Sequence, residues 1–305
     1  MDLEREPVRN AESLPPYDVA VAYRVYPGVS KPSRGLPFDD DKLHQAEICL
    51  SSFKKSLGSL RVKIWAILDG CPVTYEDMFR RYFDLEDLVI VNTQKIGNAG
   101  TFAEQMNILL SQSDADAVYF AEDDYLYMPD RFRLLLDFLY NGKDVQFVTA
   151  FDHPDYYNLS LHDFPKWLQI YENYHWCNAA STCLTFLTTK KILAKYEIVF
   201  RSYERRNYDV SLWLSITKYR IFNPGSWARY SLKLDLSMLY ALLKSWLYSW
   251  NQNLFGRQAR LWGPIPSIAL HLDLYHVAPG FDLATQMHAE DQHLHLSSKI
   301  EESSR

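Results

Sequence analysis

The sequence has few cysteines, no long apolar run and no excess of basic residues. Its four cysteines are scattered and form no C-x-x-C pair, which excludes a disulfide framework and the common zinc patterns. No stretch of about 18 uninterrupted apolar residues predicts a membrane-spanning helix. The charged start MDLEREPVRNAES lacks the apolar segment of a signal peptide. A net charge of -6 argues against a general nucleic-acid-binding protein. These absences together favour a cytoplasmic location.

Predicted strands and helices alternate over residues 17–151. The predicted strands are 17–23, 62–68, 88–91, 117–121 and 145–151. The predicted helices are 41–57, 75–83, one within 95–112 (KIGNAGTFAEQMNILLSQ) and 130–140. Such alternation is typical of a mostly parallel sheet that helices cover on both faces. The second half is less regular, with a predicted strand at 181–187 and helices at 188–199 and 209–217.

Three consecutive acids, Glu122, Asp123 and Asp124, end the apolar strand VYFA. Since alternate residues of an extended segment share a face, Glu122 and Asp124 should point together and Asp123 away. A bound Mg²⁺ or Mn²⁺ would relieve the repulsion between two carboxylates, and both cations prefer oxygen ligands. Ligands of open α/β sheets bind beyond the carboxyl ends of strands. The acids therefore predict a metal site here, with a solvated acidic turn as the alternative.

The order of several short motifs resembles that of a known family. Asp69 ends a strand in WAILDG, and Gly97, Ala103 and Asn107 are spaced along the helix in IGNAGTFAEQMN, before the strand that ends in acids. This series is similar to that of the GT-A glycosyltransferases, especially glycosyltransferase family 2, over roughly residues 17–220. The resemblance implies a GT-A α/β fold: a mostly parallel central sheet, helices on both faces and a helical C-terminal extension.

The same resemblance implies roles for individual residues. Asp69 would read the base of a nucleotide-sugar donor, and the acids would hold its ribose and its metal-bound diphosphate. Glu122 and Asp124 are the metal candidates, and Asn98 is also the expected N-cap of its helix. The donor-binding candidates lie at strand ends, at this helix start and near the C-terminus, and they are Tyr23, Arg24, Asp69, Gly97, Asn98, Glu122, Asp123, Arg257 and Arg260.

Glycosyl transfer with inversion needs a carboxylate that takes the proton of the acceptor hydroxyl. In family 2 this base lies downstream, typically in an acidic pair before a helix, and the resemblance carries the role to Asp209. The preceding acid of the pair is replaced by Tyr208. Glu204 is a second candidate, and a simple N-cap is the alternative role for Asp209.

Two C-terminal segments could complete the site. GT-A enzymes often use a late histidine as a metal ligand, and we predict His271, although a hydrogen-bonded structural histidine is the commoner case. Residues 253–266 (NLFGRQARLWGPIP) could form a lid in which Arg257 and Arg260 clamp phosphates and Trp262 stacks on a sugar. An ordinary surface loop is the alternative.

The apolar and aromatic segment 232–250 could be a core helix, an acceptor-binding helix or an interfacial helix that gives peripheral membrane contact. We expect a polar lead-in over 1–16, a GT-A core over 17–225, an acceptor or lid extension over 226–296 and a disordered tail over 297–305. The main hypothesis is a metal-dependent inverting glycosyltransferase of polysaccharide or glycoconjugate biosynthesis. Its partners would be a nucleotide sugar and a glycan or lipid-linked acceptor.

Other classes of protein are alternatives to a glycosyltransferase. A GT-A-like nucleotidyltransferase would carry a Gly-rich basic loop after its first strand, for which PGVSKPSRG is a candidate. A non-catalytic protein on the same scaffold would bind nucleotide or sugar without turnover. A two-metal hydrolase would need more His and Asp ligands than the sequence offers.

Overall fold

The computed structural model describes residues 15–28, 35–232 and 235–303. The strands are β1 (Val19–Val25), β2 (Val62–Asp69), β3 (Leu88–Thr93), β4 (Ala117–Glu122), β5 (Tyr125–Tyr127), β6 (Phe147–Val148), β7 (Leu168–Tyr171), β8 (Tyr174–Ala179), β9 (Phe186–Thr189), β10 (Leu261–Ile265) and β11 (Ala269–His271). The helices are α1 (Lys42–Leu57), α2 (Thr74–Tyr82), α3 (Gly97–Ser111), α4 (Phe132–Asn141), α5 (Asp155–Asn158), α6 (Lys190–Phe200), α7 (Asp209–Thr217), α8 (Pro224–Leu232), α9 (Leu236–Phe255) and α10 (Leu283–Ser303).

One nine-stranded sheet organises the described part of the chain, in the order β3-β2-β1-β4-β9-β6-β10-β8-β7. β1 is parallel to both neighbours, with Val19 opposite Val62 on β2 and opposite Ala117 on β4. β9 runs antiparallel between β4 and β6, and β8 is antiparallel to β10 and β7. The other seven strands share one direction, so the predicted mostly parallel sheet is confirmed.

Helices cover both faces of this sheet, as predicted. Val19, Val21 and Tyr23 of β1 belong to the cluster of buried residues that includes α1, α2 and α4. Ala20 and Ala22 belong to the opposite cluster, which includes α3, α6 and α7. Burial on both faces explains why β1 reads as a continuous apolar run rather than an alternating one.

The C-terminal part adds strands where the sequence suggested a lid. β10 pairs with β6 and β8, and Trp262 is buried with its ring 6.0 Å from that of Phe138. Residues 261–265 are therefore part of the sheet, and Trp262 cannot stack on a sugar. A short apolar stretch between charged residues fits an interior strand as well as a loop, and sequence periodicity does not separate the two.

The end of the described chain forms the long helix α10, which packs on α1. Glu290 accepts a hydrogen bond from Ser51 (2.8 Å) and pairs with Lys55 (2.7 Å), and Asp291 lies 2.7 Å from a ring nitrogen of His44. The backbone of 297–303, expected to be disordered, continues this helix. The expectation of disorder rested on the polar composition of this segment, but Lys and Glu are good helix formers. Most of the lead-in, 1–14, and the basic part of PGVSKPSRG, 29–34, lie outside the described residues.

Segment 232–250 corresponds mainly to α9, which also extends to Phe255. Its buried side faces α7 and α8, and residues 233–234 lie outside the described ranges. Among the helices of the described ranges, α9 included, none combines the length and apolar character needed to cross a bilayer.

Candidate active site

A cavity of about 510 Å³ lies at the carboxyl ends of β1, β2 and β4. Its volume is in the usual range for small-molecule sites. Seven of the predicted site residues line it, namely Arg24, Asp69, Gly97, Asn98, Glu122, Asp123 and Asp124. The sequence analysis predicted no donor-binding role for the other six lining residues, namely Val25, Tyr26, Gly28, Lys42, Lys95 and Thr101.

Glu122, the last residue of β4, is held by partners from two other elements. Arg24 forms an ion pair with it, and the Thr185 hydroxyl donates to its Oε2 at 2.6 Å. The other guanidinium nitrogen of Arg24 donates to the Asn98 carbonyl oxygen at 3.1 Å. These contacts join the ends of β1 and β4 to the start of α3. In this structure Glu122 thus helps to hold the ends of β1 and β4 in place relative to α3.

The next two acids point to different partners. Asp123 pairs with Lys42 at 2.9 Å, while Oδ2 of Asp124 lies 3.3 Å from Nε2 of His271. The prediction that Glu122 and Asp124 share a face is wrong, because β4 ends at Glu122 and a turn follows it. The alternation of side chains holds only in extended backbone.

The charges around Asp124 favour its ionised form. Burial alone would raise its pKa, but His271, Lys42 and Arg24 lower it, and the net pKa is below the usual range. For His271, burial lowers the pKa and the adjacent Asp124 raises it, so the net pKa is raised. The two groups therefore stabilise each other's charged forms.

The pair Asp124 and His271 fits a divalent cation. Oδ1 of Asp124 is buried and has no hydrogen-bond partner, although buried carboxylate oxygens are normally satisfied. A carboxylate and an imidazole are both suitable ligands for Mn²⁺. Within the described ranges no preformed group of three or more His, Cys, Asp or Glu side chains could hold a metal. Water and a ligand's phosphates would have to complete the coordination, as is usual for such cations.

The carboxylate oxygens of Asp69 accept hydrogen bonds from the backbone at the start of α3, so they are not free to bind a ligand in the cavity. Asp69 accepts the backbone N–H groups of Ile96 (2.7 Å) and Gly97 (2.8 Å) and the hydroxyl of Thr93 (2.8 Å). The prediction that Asn98 is the N-cap is wrong, because α3 already begins at Gly97 and Asp69 satisfies its first amides. Gly97 has φ +73°, which favours glycine.

Two lysines bring positive charge to the cavity. Lys42 is the first residue of α1 and is mostly buried beside Asp123. Lys95 lies in the turn before α3, and its side chain covers Gly70. No local motif marks either residue, because both reach the site only through the fold. The sequence DDDK (39–42), which leads into α1, is a weak indication that a lysine lies at a helix N-terminus.

Three predicted donor-binding residues lie away from the cavity. The Tyr23 ring packs between Phe53 and Phe79 in the core. Arg260 directly precedes β10, at the amino-end edge of the sheet opposite the cavity, and its guanidinium pairs with Asp144 at 2.7 Å. Arg257 is exposed in the segment that leads into β10. In this structure none of the three reaches the cavity.

Asp209 begins α7, as predicted, but Tyr208 is the N-cap, and its backbone N–H donates to the Ser211 hydroxyl at 3.3 Å. The side chain of Asp209 accepts the N–H of Val210, at 2.7 Å. Burial, the largest cause, raises the pKa of Asp209, and the charge of nearby Glu122 raises it further. The other candidate base, Glu204, is exposed and pairs with Arg201 at 3.3 Å. Asp209 is therefore the better candidate base.

No protein-family model matches the chain, and no curated protein matches it significantly. Among solved structures it is similar to the glycosyltransferase GlyE of Streptococcus pneumoniae TIGR4 (TM-score 0.38, 13% identity, 73% of this chain and 51% of that chain). It is also similar to 4-diphosphocytidyl-2C-methyl-D-erythritolsynthase from Anaerococcus prevotii DSM 20548 (TM-score 0.39, 10% identity, 67% of this chain and 85% of that chain). A third similar structure is that of glucosyl-3-phosphoglycerate synthase from Mycobacterium tuberculosis, in complex with Mn²⁺, UDP and glucosyl-3-phosphoglycerate (TM-score 0.36, 11% identity, 59% of this chain and 59% of that chain).

The chain spans about half the length of GlyE. The predicted α/β fold, with a mostly parallel central sheet and helices on both faces, is confirmed by the strand order and registers given above. What the protein does has to be inferred from the chemistry of its own site.

Proposed function

We propose that the protein is a metal-dependent glycosyltransferase that moves a sugar from a nucleoside-diphosphate sugar to a hydroxyl of a glycan or lipid-linked acceptor. One observation carries this proposal. Asp124, with an unpartnered buried oxygen, lies beside His271 at the strand ends, in a cavity that two lysines also line. Carboxylate, imidazole and ammonium groups are together suited to a metal-bound diphosphate.

The residues around the cavity have distinct binding roles. Asp124 and His271 would hold the cation, whose charge stabilises the leaving diphosphate when it is bound. Lys42 and Lys95 would pair with phosphate oxygens. The start of α3 is a less suitable phosphate site, since the carboxylate of Asp69 already occupies its amides.

Asp209 would act as the general base. The acceptor oxygen bonds to the anomeric carbon as its proton passes to a carboxylate oxygen of Asp209. The bond between the anomeric carbon and the diphosphate oxygen breaks, and the electron pair stays on the diphosphate. Attack opposite the leaving group inverts the anomeric carbon. The raised pKa of Asp209 suits this role, because a base works best with a pKa closer to the operating pH.

Calorimetric titration tests the donor site. We expect one of UDP, GDP, CDP and dTDP to bind tightly in the presence of Mn²⁺ and weakly without it. Asp124→Asn should weaken that binding by about 10–100-fold, because it removes a charged metal ligand. The matched control is Asp163→Asn, which changes an exposed acid that pairs with Arg229 at 3.3 Å.

Two results would contradict the proposal. One is that no diphosphate binds, or that binding is indifferent to Mn²⁺ and to Asp124→Asn. The other is much tighter binding of a nucleoside triphosphate than of any diphosphate, which would indicate the nucleotidyltransferase instead.

A further inference from the structure

A second cavity, of about 680 Å³, opens beside Asp209 and is here called the α9 groove. It lies between the start of α7 and the first two turns of α9. Its described lining is mainly apolar, and Asp209 is the one charged residue in it. The lining residues are Tyr208, Asp209, Val210, Leu236, Ser237, Met238, Leu239, Tyr240, Ala241 and Leu243.

The groove is continuous with an exposed apolar face of α9. Large side chains recur along this face at intervals of three and four residues, as on one side of a helix. The exposed residues are Leu236, Tyr240, Leu243, Leu247, Trp250 and Leu254. A contiguous apolar patch of this kind usually marks a binding surface.

The one charged side chain of α9, Lys244, does not itself line the groove, and its ammonium has partners of its own. The Lys244 ammonium donates to the carbonyl oxygen of Arg206 and lies 3.8 Å from the centre of the Tyr208 ring and 4.9 Å from that of Tyr240. The described lining of the groove therefore contains no cation, and the nearby Lys244 ammonium is already held by a carbonyl oxygen and two aromatic rings. By charge complementarity, it suits an uncharged apolar occupant.

A smaller cavity of about 130 Å³ adjoins the groove, and Asp209, Val210 and Met238 line both. Apolar as well as polar residues line it, and it is here called the polar cavity after its hydroxyl, imidazole and carboxylate groups. Its remaining lining includes Ser181, Thr182, His153 and Asp155. Hydroxyl, imidazole and carboxylate groups can bind the hydroxyls of a sugar. A polar cavity and an apolar groove therefore meet at the candidate base.

We propose that the acceptor is an amphiphile whose hydroxyl-bearing head occupies the polar cavity and whose uncharged alkyl or prenyl chain lies in the α9 groove. The groove places the reacting hydroxyl at Asp209 and keeps the chain out of water. The assignment of this ligand as acceptor rests on the proposed function. Binding of the chain itself requires neither donor nor catalysis.

The test uses calorimetry with dodecyl maltoside below its critical micelle concentration and with maltose. We expect the alkyl glycoside to bind at least about ten-fold more tightly, since each buried methylene adds affinity. Leu243→Gln should weaken its binding about five-fold. Leu254→Gln should leave it within about two-fold, because Leu254 has the same exposure, 51%, but does not line the groove. Both residues are exposed, so neither substitution should unfold the protein.

Several results would overturn the proposal. The proposal is overturned if dodecyl maltoside fails to bind, binds no better than maltose, or binds equally to both variants. A dimer that both variants dissociate would show that a second copy covers the α9 face. Sedimentation with phosphatidylcholine vesicles that both variants abolish would show that the whole face docks on a bilayer. Diphosphate titration of the same samples tests the donor site separately. A failure of the proposed acceptor site can therefore be distinguished from a failure of the proposed function.

Discussion

The substitution Asp209→Asn should lower kcat of sugar transfer by about 10²–10⁴-fold. The amide has nearly the same shape as the carboxylate but cannot accept the proton of the acceptor hydroxyl. Diphosphate binding should stay within about two-fold, because Asp209 does not line the 510 Å³ cavity. The measurements are release of diphosphate from the cognate nucleotide sugar and calorimetric titration of the same diphosphate.

The matched control for Asp209→Asn is Glu204→Gln. Glu204 lies in the same segment and is exposed beside Arg201, so its loss should change kcat by less than about two-fold. If Asp209→Asn kept most of the activity, the base would have to lie elsewhere. The opposite pattern, with Glu204→Gln inactive, would transfer the role to Glu204.

The pH profile offers a further test of the base. Asp209 must be ionised to accept a proton, so kcat/KM should fall as the pH drops through its pKa. Burial first, and then Glu122, raise that pKa above the ordinary value of about 4 for Asp. The acidic limb of the profile should therefore lie above pH 4. A limb at or below that pH would contradict the assignment.

The substitution Arg24→Met should destabilise the fold by about 3–5 kcal/mol. Arg24 is 6% exposed and supplies the counter-charge of Glu122 at the end of β4. Without it, Glu122 keeps the hydroxyl of Thr185 but loses its ion pair in a largely buried place. Urea denaturation, followed by fluorescence, gives the free energy of unfolding.

A double-mutant cycle separates the ion pair from the packing of Arg24. Adding Glu122→Gln to Arg24→Met removes the unpaired charge, so the double variant should lose less stability than the two single variants together. Strictly additive losses, or a loss below about 1 kcal/mol for Arg24→Met alone, would show that the ion pair is not what holds these strand ends together.

The α/β fold and the position of the candidate site followed from local patterns in the sequence. The apolar run of β4 and the acids after it placed Glu122–Asp124 at a strand end, and parallel packing put that end beside Asp69. The helix that begins at Asp209 was also predictable, because periodicity and a polar first residue mark its start. The sequence was sufficient to predict the place of a residue when that place depends on a single helix or strand.

The remaining errors concern contacts between distant segments. Lys42 reaches Asp123 only once α1 has packed beside β4, and no motif in either segment records that pairing. Arg260 looked like a phosphate ligand because β10 could not be placed, and its strand pairing puts the residue at the other edge of the sheet. The direction of Asp124 depended on where β4 stops, and strand ends are the least predictable feature of an element.

The packing of α10 on α1 has a consequence for folding during synthesis. Glu290 and its partner Ser51 are separated by 239 residues. At about 5–20 residues per second, the ribosome needs roughly 12–48 s to make the residues between them. For that time the side of α1 that later packs against α10 has no native cover from this helix. A nascent chain of this protein should therefore offer a chaperone a binding surface on α1 until α10 emerges.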